Sequence, residues 1–152
     1  MLDYMKWIEA LDCWDHNNWD SNSYPNFSFT ELVCKETGEN RMTRSFLARL
    51  QRLRWAIGKP LLITSGYRSV KSSIEAAKID QGKLPGTHAF GSACDISCHG
   101  ALAHTLLKAA IDLGFTGIGV SQSGGYPFIH LDDLDGDLAE AKSVMRPTVW
   151  SY

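Results

Sequence analysis

Two histidines of this sequence lie in surroundings that suit metal chemistry. His88 lies in the run GTHAFGSACDI at residues 86–96, and His130 lies in the run PFIHLDD at residues 127–133. Each run combines an imidazole with a carboxylate and a short strand-like segment. Any one of the five histidines, taken alone, is more typical of a surface or core position than of a metal ligand, so the two runs carry weight only in combination.

The first run predicts that one imidazole and one carboxylate share a face. A strand over residues 92–97 would turn Cys94 and Asp95 to opposite sides, because successive side chains alternate along a strand. Cys94 then faces the core and Asp95 faces away from it. His88 comes before this strand, and Gly91 between them permits a tight return of the chain.

The second run adds another imidazole. A strand over residues 128–132 places His130 and Asp132 on one face and the apolar residues between them on the other. His88, Asp95 and His130 are then free to converge. Two imidazoles and one carboxylate, with a position left for water, are typical of catalytic zinc. The spacing therefore predicts Zn²⁺ held by these three residues, beside the alternative that they have separate structural roles.

The four cysteines favour buried thiols over a cysteine-rich zinc site. Three residues separate Cys94 from Cys98, rather than the two of a typical zinc knot, while Cys13 and Cys34 have no near partners in the sequence. A redox protein built on Cys94 is another interpretation, but the strand alternation buries that thiol and argues against it.

The elements that must position these residues are short and interspersed. Apolar spacing predicts helices over about residues 3–14, 43–57, 72–80 and 101–113. Strand-type runs cover residues 61–64, 92–97, 115–120 and 128–132. Thr43 and Gly58 are expected to cap the second helix, and Ser28 with Glu31 predicts a short helical turn. Because the connection over residues 121–126 is too short for a crossover helix, we expect an α+β fold: a small antiparallel sheet flanked by helices, with the zinc site on one sheet face.

A polar segment over residues 15–27 separates an aromatic N-terminal part from the rest of the chain. We predict an arm of helix and loop over residues 1–24 and one domain over residues 25–152. Four aromatic side chains of the arm suit packing either on the domain or on a partner: Tyr4, Trp7, Trp14 and Trp19.

Composition excludes several classes of protein. The 152 residues carry 15 basic and 17 acidic side chains, a net charge of −2 that gives no electrostatic reason for a nucleic-acid partner. No apolar run approaches the roughly 18 residues of a membrane span. The first residues, MLDYMKWIE, carry acids where a signal peptide needs an apolar run, so we expect no export by that route and reduced cysteines.

Four segments, in this order, resemble the zinc D-Ala-D-Ala carboxypeptidase family, which includes VanY-like DD-peptidases and phage L-alanyl-D-glutamate endolysins and has the hedgehog/DD-peptidase fold. They are FSFTEL at 27–32, TSGYRS at 64–69, the run from His88 to Asp95, and GIGV at 117–120 leading to FIHLD at 128–132. The ending WSY at 150–152 is similar to that of small phage members. The resemblance covers about residues 25–152, and the order of the segments makes it specific.

The resemblance implies roles for particular residues. It implies that Zn²⁺ is held by His88, Asp95 and His130, and that Arg68 binds the scissile carbonyl or the oxyanion that forms from it. A fixed guanidinium beside a metal suits peptide hydrolysis, because negative charge builds on the carbonyl oxygen. The alternative for Arg68 is a structural ion pair.

One departure from the family concerns the proton acceptor. Many members carry an acidic residue three positions before the last histidine ligand, where this sequence has Pro127. Peptide cleavage still requires a proton acceptor and a donor for the leaving amine. The candidates are Asp132, then Glu75, and the hydroxyl of Tyr126. As alternatives, Asp132 can orient a ligand imidazole and Glu75 can be an exposed helix acid.

We therefore expect a zinc metallopeptidase that hydrolyses peptidoglycan stem peptides, as a D-Ala-D-Ala carboxypeptidase or an L-Ala-D-Glu endopeptidase. The resemblance implies a phage lysis enzyme or a virion-associated protein, made in the host cytoplasm and acting at the cell wall or in the periplasm. The alternative is an inactive zinc-containing module that binds the cell wall or serves in a phage structure. The same scaffold occurs in hedgehog domains, and the usual base is missing.

Overall fold

The fold is taken from a computed structural model, which describes residues 4–141 and 144–152. Within these residues the helices are α1 (Tyr4–Ala10), α2 (Arg44–Ile57), α3 (Ser73–Asp80), α4 (Gly100–Asp112) and α5 (Gly136–Ala141). The strands are β1 (Leu62–Ser65), β2 (Ala93–Ser97), β3 (Gly117–Ser121), β4 (Phe128–Asp132) and β5 (Thr148–Ser151). A short 3₁₀ helix, Thr87–Phe90, precedes β2.

The described strands form one sheet in the order β1-β2-β4-β3-β5. The neighbours from β1 to β3 pair antiparallel, as the short connection before β4 predicts. The edge strand β5 was not predicted, and it pairs parallel to β3. The α+β prediction with helices flanking the sheet is confirmed.

Local sequence signals account for both ends of α2. Thr43 caps α2 by accepting a hydrogen bond from the backbone N–H of Phe46 at 3.2 Å, and Gly58 ends the helix with φ of 69°. Ser28 and Glu31 make the reciprocal bonds of a capping box, but they close a turn and not an α-helix.

The first helix is shorter than the apolar spacing predicts, and residue 3 lies outside the described part of the chain. It ends at Ala10 because the following residues extend along the domain. Cys13 forms a β-bridge with Thr43, and the backbone N–H of Trp14 donates to the carbonyl of Met42 at 2.9 Å. The arm over residues 4–24 thus packs on the rest of the chain, while the boundary at residues 24 and 25 stays a prediction.

One face of the sheet closes the hydrophobic core. Strand residues on this face are almost fully buried: Cys94, Ile96, Ile118, Ile129 and Leu131. Helices α2 and α4 cover them, and Trp14 and Tyr24 of the arm join the same cluster. The opposite face carries the polar residues considered below. None of the described helices has the length and apolar character needed to span a membrane.

The four cysteines are free thiols, and Cys94 is buried as the strand alternation predicts. Cys34, Cys94 and Cys98 are buried, Cys13 is half-buried, and all four are free of disulfides. Burial raises the pKa of Cys94 well above its ordinary value, which keeps this thiol protonated and unreactive.

Candidate active site

The structure brings His88, Asp95 and His130 together on the polar face of the sheet. Asp95 in β2 pairs directly with His130 in β4, and the 3₁₀ helix before β2 carries His88. Each residue offers one ligand atom, and the three atoms lie within 4.8 Å of one another. Both imidazoles are buried, with 6% and 4% exposure for His88 and His130.

The atoms that face one another are defined. Oδ1 of Asp95 lies 2.9 Å from Nδ1 of His130 and 3.4 Å from Nε2 of His88. Nδ1 of His88 lies 2.7 Å from the carbonyl oxygen of Gly66. A carbonyl only accepts hydrogen bonds, so Nδ1 carries the proton and Nε2 is left with its lone pair towards Asp95.

The second imidazole is oriented in the opposite sense. Nε2 of His130 lies 3.0 Å from Oδ2 of Asp132, and Nδ1 faces Asp95. In each imidazole, one nitrogen contacts an oxygen of Gly66 or Asp132, and the other nitrogen faces Asp95. Proteins orient histidine ligands of metals in this way. Two imidazole nitrogens and one carboxylate oxygen form a donor set that fits a divalent transition metal.

The electrostatics favour positive charge at this point. Burial alone would raise the pKa of Asp95, but its contacts with His130 and His88 outweigh burial and lower it. Burial alone would lower the pKa of His130, but hydrogen bonding to Asp132 and Asp95 raises it. Two carboxylates therefore flank one imidazole, and a cation between Asp95 and His130 would be stabilised.

Asp132 is completely enclosed, with 0% exposure. Besides His130, its carboxylate meets Arg146: Nε lies 2.8 Å from Oδ1 and Nη2 lies 2.7 Å from Oδ2. The backbone N–H of Leu134 also donates to Oδ1 at 3.4 Å. Burial would raise the pKa of Asp132, but His130 and Arg146 lower it, so the group is ionised at neutral pH. These contacts favour an orienting role over proton transfer.

Arg68 follows β1 and lies next to the His88 turn. Its backbone N–H donates to the carbonyl of His88 at 3.2 Å. Its guanidinium contacts Glu75 at 3.4 Å and donates to Oγ of Ser65 at 3.3 Å, with the side chain 26% exposed. The guanidinium is therefore restrained and still partly open to a ligand. A cavity of about 140 Å³ lies beside it, lined in part by Lys35 and Glu36.

Glu75 is not the exposed helix acid that was one interpretation of its position. It has 0% exposure, although it lies in the first turn of α3. Its carboxylate receives Nζ of Lys78 at 3.1 Å and the backbone N–H of Gly86 at 2.7 Å, in addition to Arg68. Burial would raise the pKa of Glu75, but these donors outweigh it and lower the pKa.

Tyr126, the remaining candidate for proton transfer, lies in the connection between β3 and β4. Its side chain is 93% exposed.

Three side chains beside the site have no role in the sequence-based predictions: Arg146, Trp150 and Tyr152. The ring of Trp150 lies 5.3 Å from that of His130. The ring of Tyr152 lies 6.4 Å from that of Trp150 and 5.1 Å from that of Phe128, and the residue is 65% exposed. The WSY ending was noted only as a likeness, and no local pattern distinguishes Arg146 from any surface arginine.

The sequence comparisons agree with this geometry. Residues 25–132 match the family profile described as Peptidase M15. No curated protein matches the chain. The match spans more than half of the chain and contains Arg68, the His88 to Asp95 run and His130, so the resemblance in the sequence analysis is confirmed. The chain belongs to the peptidase M15 family and is a metal-dependent peptidase.

Proposed function

We propose that the protein is a zinc peptidase that hydrolyses peptide bonds in peptidoglycan stem peptides. The observation that carries the proposal is the inward-facing set of His88 Nε2, Asp95 Oδ1 and His130 Nδ1, with a restrained guanidinium nearby. The peptidoglycan substrate rests on the resemblance to D-Ala-D-Ala carboxypeptidases and endolysins.

The residues present fit zinc and divide the chemistry among themselves. Zinc, when bound, would polarise a peptide carbonyl and activate a water molecule. Arg68 places positive charge where the carbonyl oxygen becomes negative, and Glu75 and Ser65 hold its guanidinium in place. The carbonyl of Gly66 and the carboxylate of Asp132 each contact the outer nitrogen of one imidazole, which orients His88 and His130 with their other nitrogens towards the metal position.

Among the candidates for proton transfer, we assign Asp132 and Glu75 to positioning. Both are fully buried, and donors within 3.4 Å engage both oxygens of each carboxylate. Tyr126 is the exposed candidate. We expect Tyr126→Phe to lower kcat without changing metal affinity, and Asp132→Asn to weaken metal binding. If instead Tyr126→Phe keeps its kcat, and Asp132→Asn loses kcat but keeps wild-type metal affinity, Asp132 is the proton acceptor.

We further propose that the peptidase acts in phage lysis or as a virion component. Support comes from the resemblance of residues 150–152 and of the four segments to small phage members. Detection of the protein by mass spectrometry in purified virions, as opposed to the lysate alone, would separate the two contexts.

The decisive experiment is a digest of purified peptidoglycan followed by mass analysis of the products. Zinc-loaded protein is expected to release alanine or to split the stem peptide after its first residue, and a chelator should abolish either product. His88→Ala and Asp95→Ala should be inactive, whereas Asp112→Asn, an exposed acid of α4, should behave as wild type.

A second candidate function is an inactive zinc module that binds the cell wall. The observation in its favour is that Pro127 replaces the usual acid and that Asp132 and Glu75 are both enclosed. Zinc-loaded wild type that binds peptidoglycan but yields no new amine would establish this alternative and overturn the peptidase proposal.

A further inference from the structure

We propose that Arg146 is a positioning residue of the metal centre: its guanidinium holds Asp132 against Nε2 of His130, so that Nδ1 of His130 faces Asp95. The inference rests on the proposed function, because it takes His130 as a metal ligand. It assigns a role to residues 144–152, which lie outside the part of the chain that matches the family.

The contact between Arg146 and Asp132 is a two-pronged one. Nε and Nη2 of the guanidinium reach one carboxylate oxygen each, at 2.8 and 2.7 Å. The side chains are 8% and 0% exposed. Such a fork fixes the plane of the carboxylate as well as its charge, which a single ammonium group cannot do.

The position of the Asp132 carboxylate depends on a glycine of the neighbouring strand. Its partner across the antiparallel pair is Gly117 of β3. A Cβ atom on Gly117 would lie 2.3 Å from both carboxylate oxygens of Asp132, far inside any packing distance. The carboxylate therefore lies over a backbone without a side chain, between the imidazole of His130 and the guanidinium of Arg146.

The guanidinium of Arg146 lies over the ring of Trp150. The centre of the guanidinium lies 5.3 Å from the Trp150 ring, and Nη1 donates to the carbonyl of Met145 at 2.7 Å. Trp150 pairs with Gly119 across β5 and β3, and a Cβ on Gly119 would lie 2.7 Å from the indole. The glycine lets the indole reach the ring of His130.

The buried carboxylate of Asp132 needs a compensating positive charge. A carboxylate with no exposure is costly unless cations and donors compensate it. Arg146 supplies a full positive charge to both carboxylate oxygens, including Oδ2, which Nε2 of His130 also contacts. With both oxygens held by Arg146, the carboxylate of Asp132 can accept the outer N–H of the imidazole through Oδ2, which fixes the tautomer and raises the basicity of the inward nitrogen.

The test measures metal binding in Arg146→Lys and Arg146→Met. Zinc affinity comes from competition with a chromophoric chelator, and the visible spectrum of Co²⁺-loaded protein reports ligand geometry. We expect zinc to bind about 10- to 100-fold more weakly in Arg146→Met, with an altered cobalt spectrum. Arg146→Lys should also bind several-fold more weakly, because lysine lacks the fork.

Arg44 provides a matched control at the arm. Its Nε lies 2.9 Å from Oδ1 of Asp12, and its guanidinium lies 3.7 Å from the ring of Trp14. It thus pairs with a carboxylate and covers a tryptophan, as Arg146 does, but away from the triad. Arg44→Lys and Arg44→Met should leave zinc affinity and the cobalt spectrum unchanged.

Folded Arg146 variants with wild-type zinc affinity and cobalt spectrum would overturn the inference, even if their thermal stability is lower. If Arg146→Met does not fold, an unchanged Arg146→Lys is sufficient to overturn it. Wild type that binds zinc but cleaves no peptide would contradict the proposed function and leave the inference intact. Wild type that binds no metal would overturn both.

Discussion

Oε1 of Glu75 lies 3.4 Å from Nη1 of Arg68, and the other carboxylate oxygen accepts the backbone N–H of Gly86, two residues before His88. One buried carboxylate thus joins the cation assigned to the carbonyl oxygen with the turn that carries the first imidazole. The distance between these two parts of the site is fixed through Glu75.

Glu75→Gln tests this link. The amide keeps the size of the side chain but removes the charge that faces Arg68 and Lys78. We expect kcat on stem peptides to fall about 10-fold as the guanidinium loosens, and stability to fall by about 1–3 kcal/mol from the buried charged hydrogen bonds. Steady-state kinetics and thermal unfolding measure the two effects.

The control for this change is Asp112→Asn, which breaks the exposed Lys108–Asp112 pair of α4. An exposed pair of this kind contributes about 0.5 kcal/mol or less, and kinetics should not change. Wild-type kinetics in Glu75→Gln would show that Arg68 does not depend on this carboxylate.

Gly117 and Gly119 test the requirement for bare backbone under the site. Alanine at 117 would press on Asp132, and alanine at 119 would press on Trp150. Each substitution should weaken zinc binding about 10-fold, because each displaces a group that orients His130. Gly125→Ala is the control, since a Cβ there meets no atom within 4 Å. Chelator competition measures all three. Wild-type zinc affinity in the variants at 117 and 119, as in Gly125→Ala, would contradict the requirement for bare backbone.

The raised pKa of Asp133 should make the free energy of unfolding depend on pH. Burial, together with the charges of Asp132 and Asp135, raises its pKa from 3.8 to about 6, against the opposing charge of Arg49. Its stabilising contribution is therefore complete below about pH 4 and is lost as pH rises through 6. Since one pKa unit corresponds to about 1.36 kcal/mol, the loss is about 3 kcal/mol at most.

Asp133→Asn should remove that loss. The variant is expected to be more stable than wild type at pH 7.5, and the difference should vanish near pH 4. Denaturant unfolding at both pH values measures it, with the exposed Asp112→Asn as a reference that shows no such trend. A variant that is less stable than wild type at pH 7.5 would contradict the unfavourable ionisation of the half-buried Asp133.

Metal loading should also stabilise the fold. Zinc that binds the folded state alone adds about 2.7 kcal/mol at a free concentration 100 times Kd. We expect a higher Tm with zinc in wild type and no shift in His88→Ala. An equal shift in both proteins would place the zinc elsewhere in the chain.

Much of the inner site follows from local sequence. Alternation along β2 and β4 places Asp95 and His130 on the polar face, and the glycine before β2 turns His88 towards them. These relationships extend over a few residues and are set by strand period alone. The α+β class follows in the same way from the spacing of short elements.

The outer part of the site depends on contacts that sequence does not reveal. Arg146 reaches Asp132 because β5 pairs parallel with β3, a long-range pairing of a four-residue strand with alternating half-buried and exposed side chains. Glu75 lies on a helix with weak amphipathic character, and its burial comes from Arg68 and Gly86 on other segments. Tertiary charge pairing decides both positions.

The most direct test of the central claim is a crystal structure of the zinc-loaded protein with anomalous diffraction data at the zinc edge. We expect an anomalous peak bonded to Nε2 of His88, Oδ1 of Asp95 and Nδ1 of His130, at about 2.0–2.2 Å from each. Nε2 of His130 should remain on Asp132. A peak on other residues, or no peak at this triad, would contradict the account.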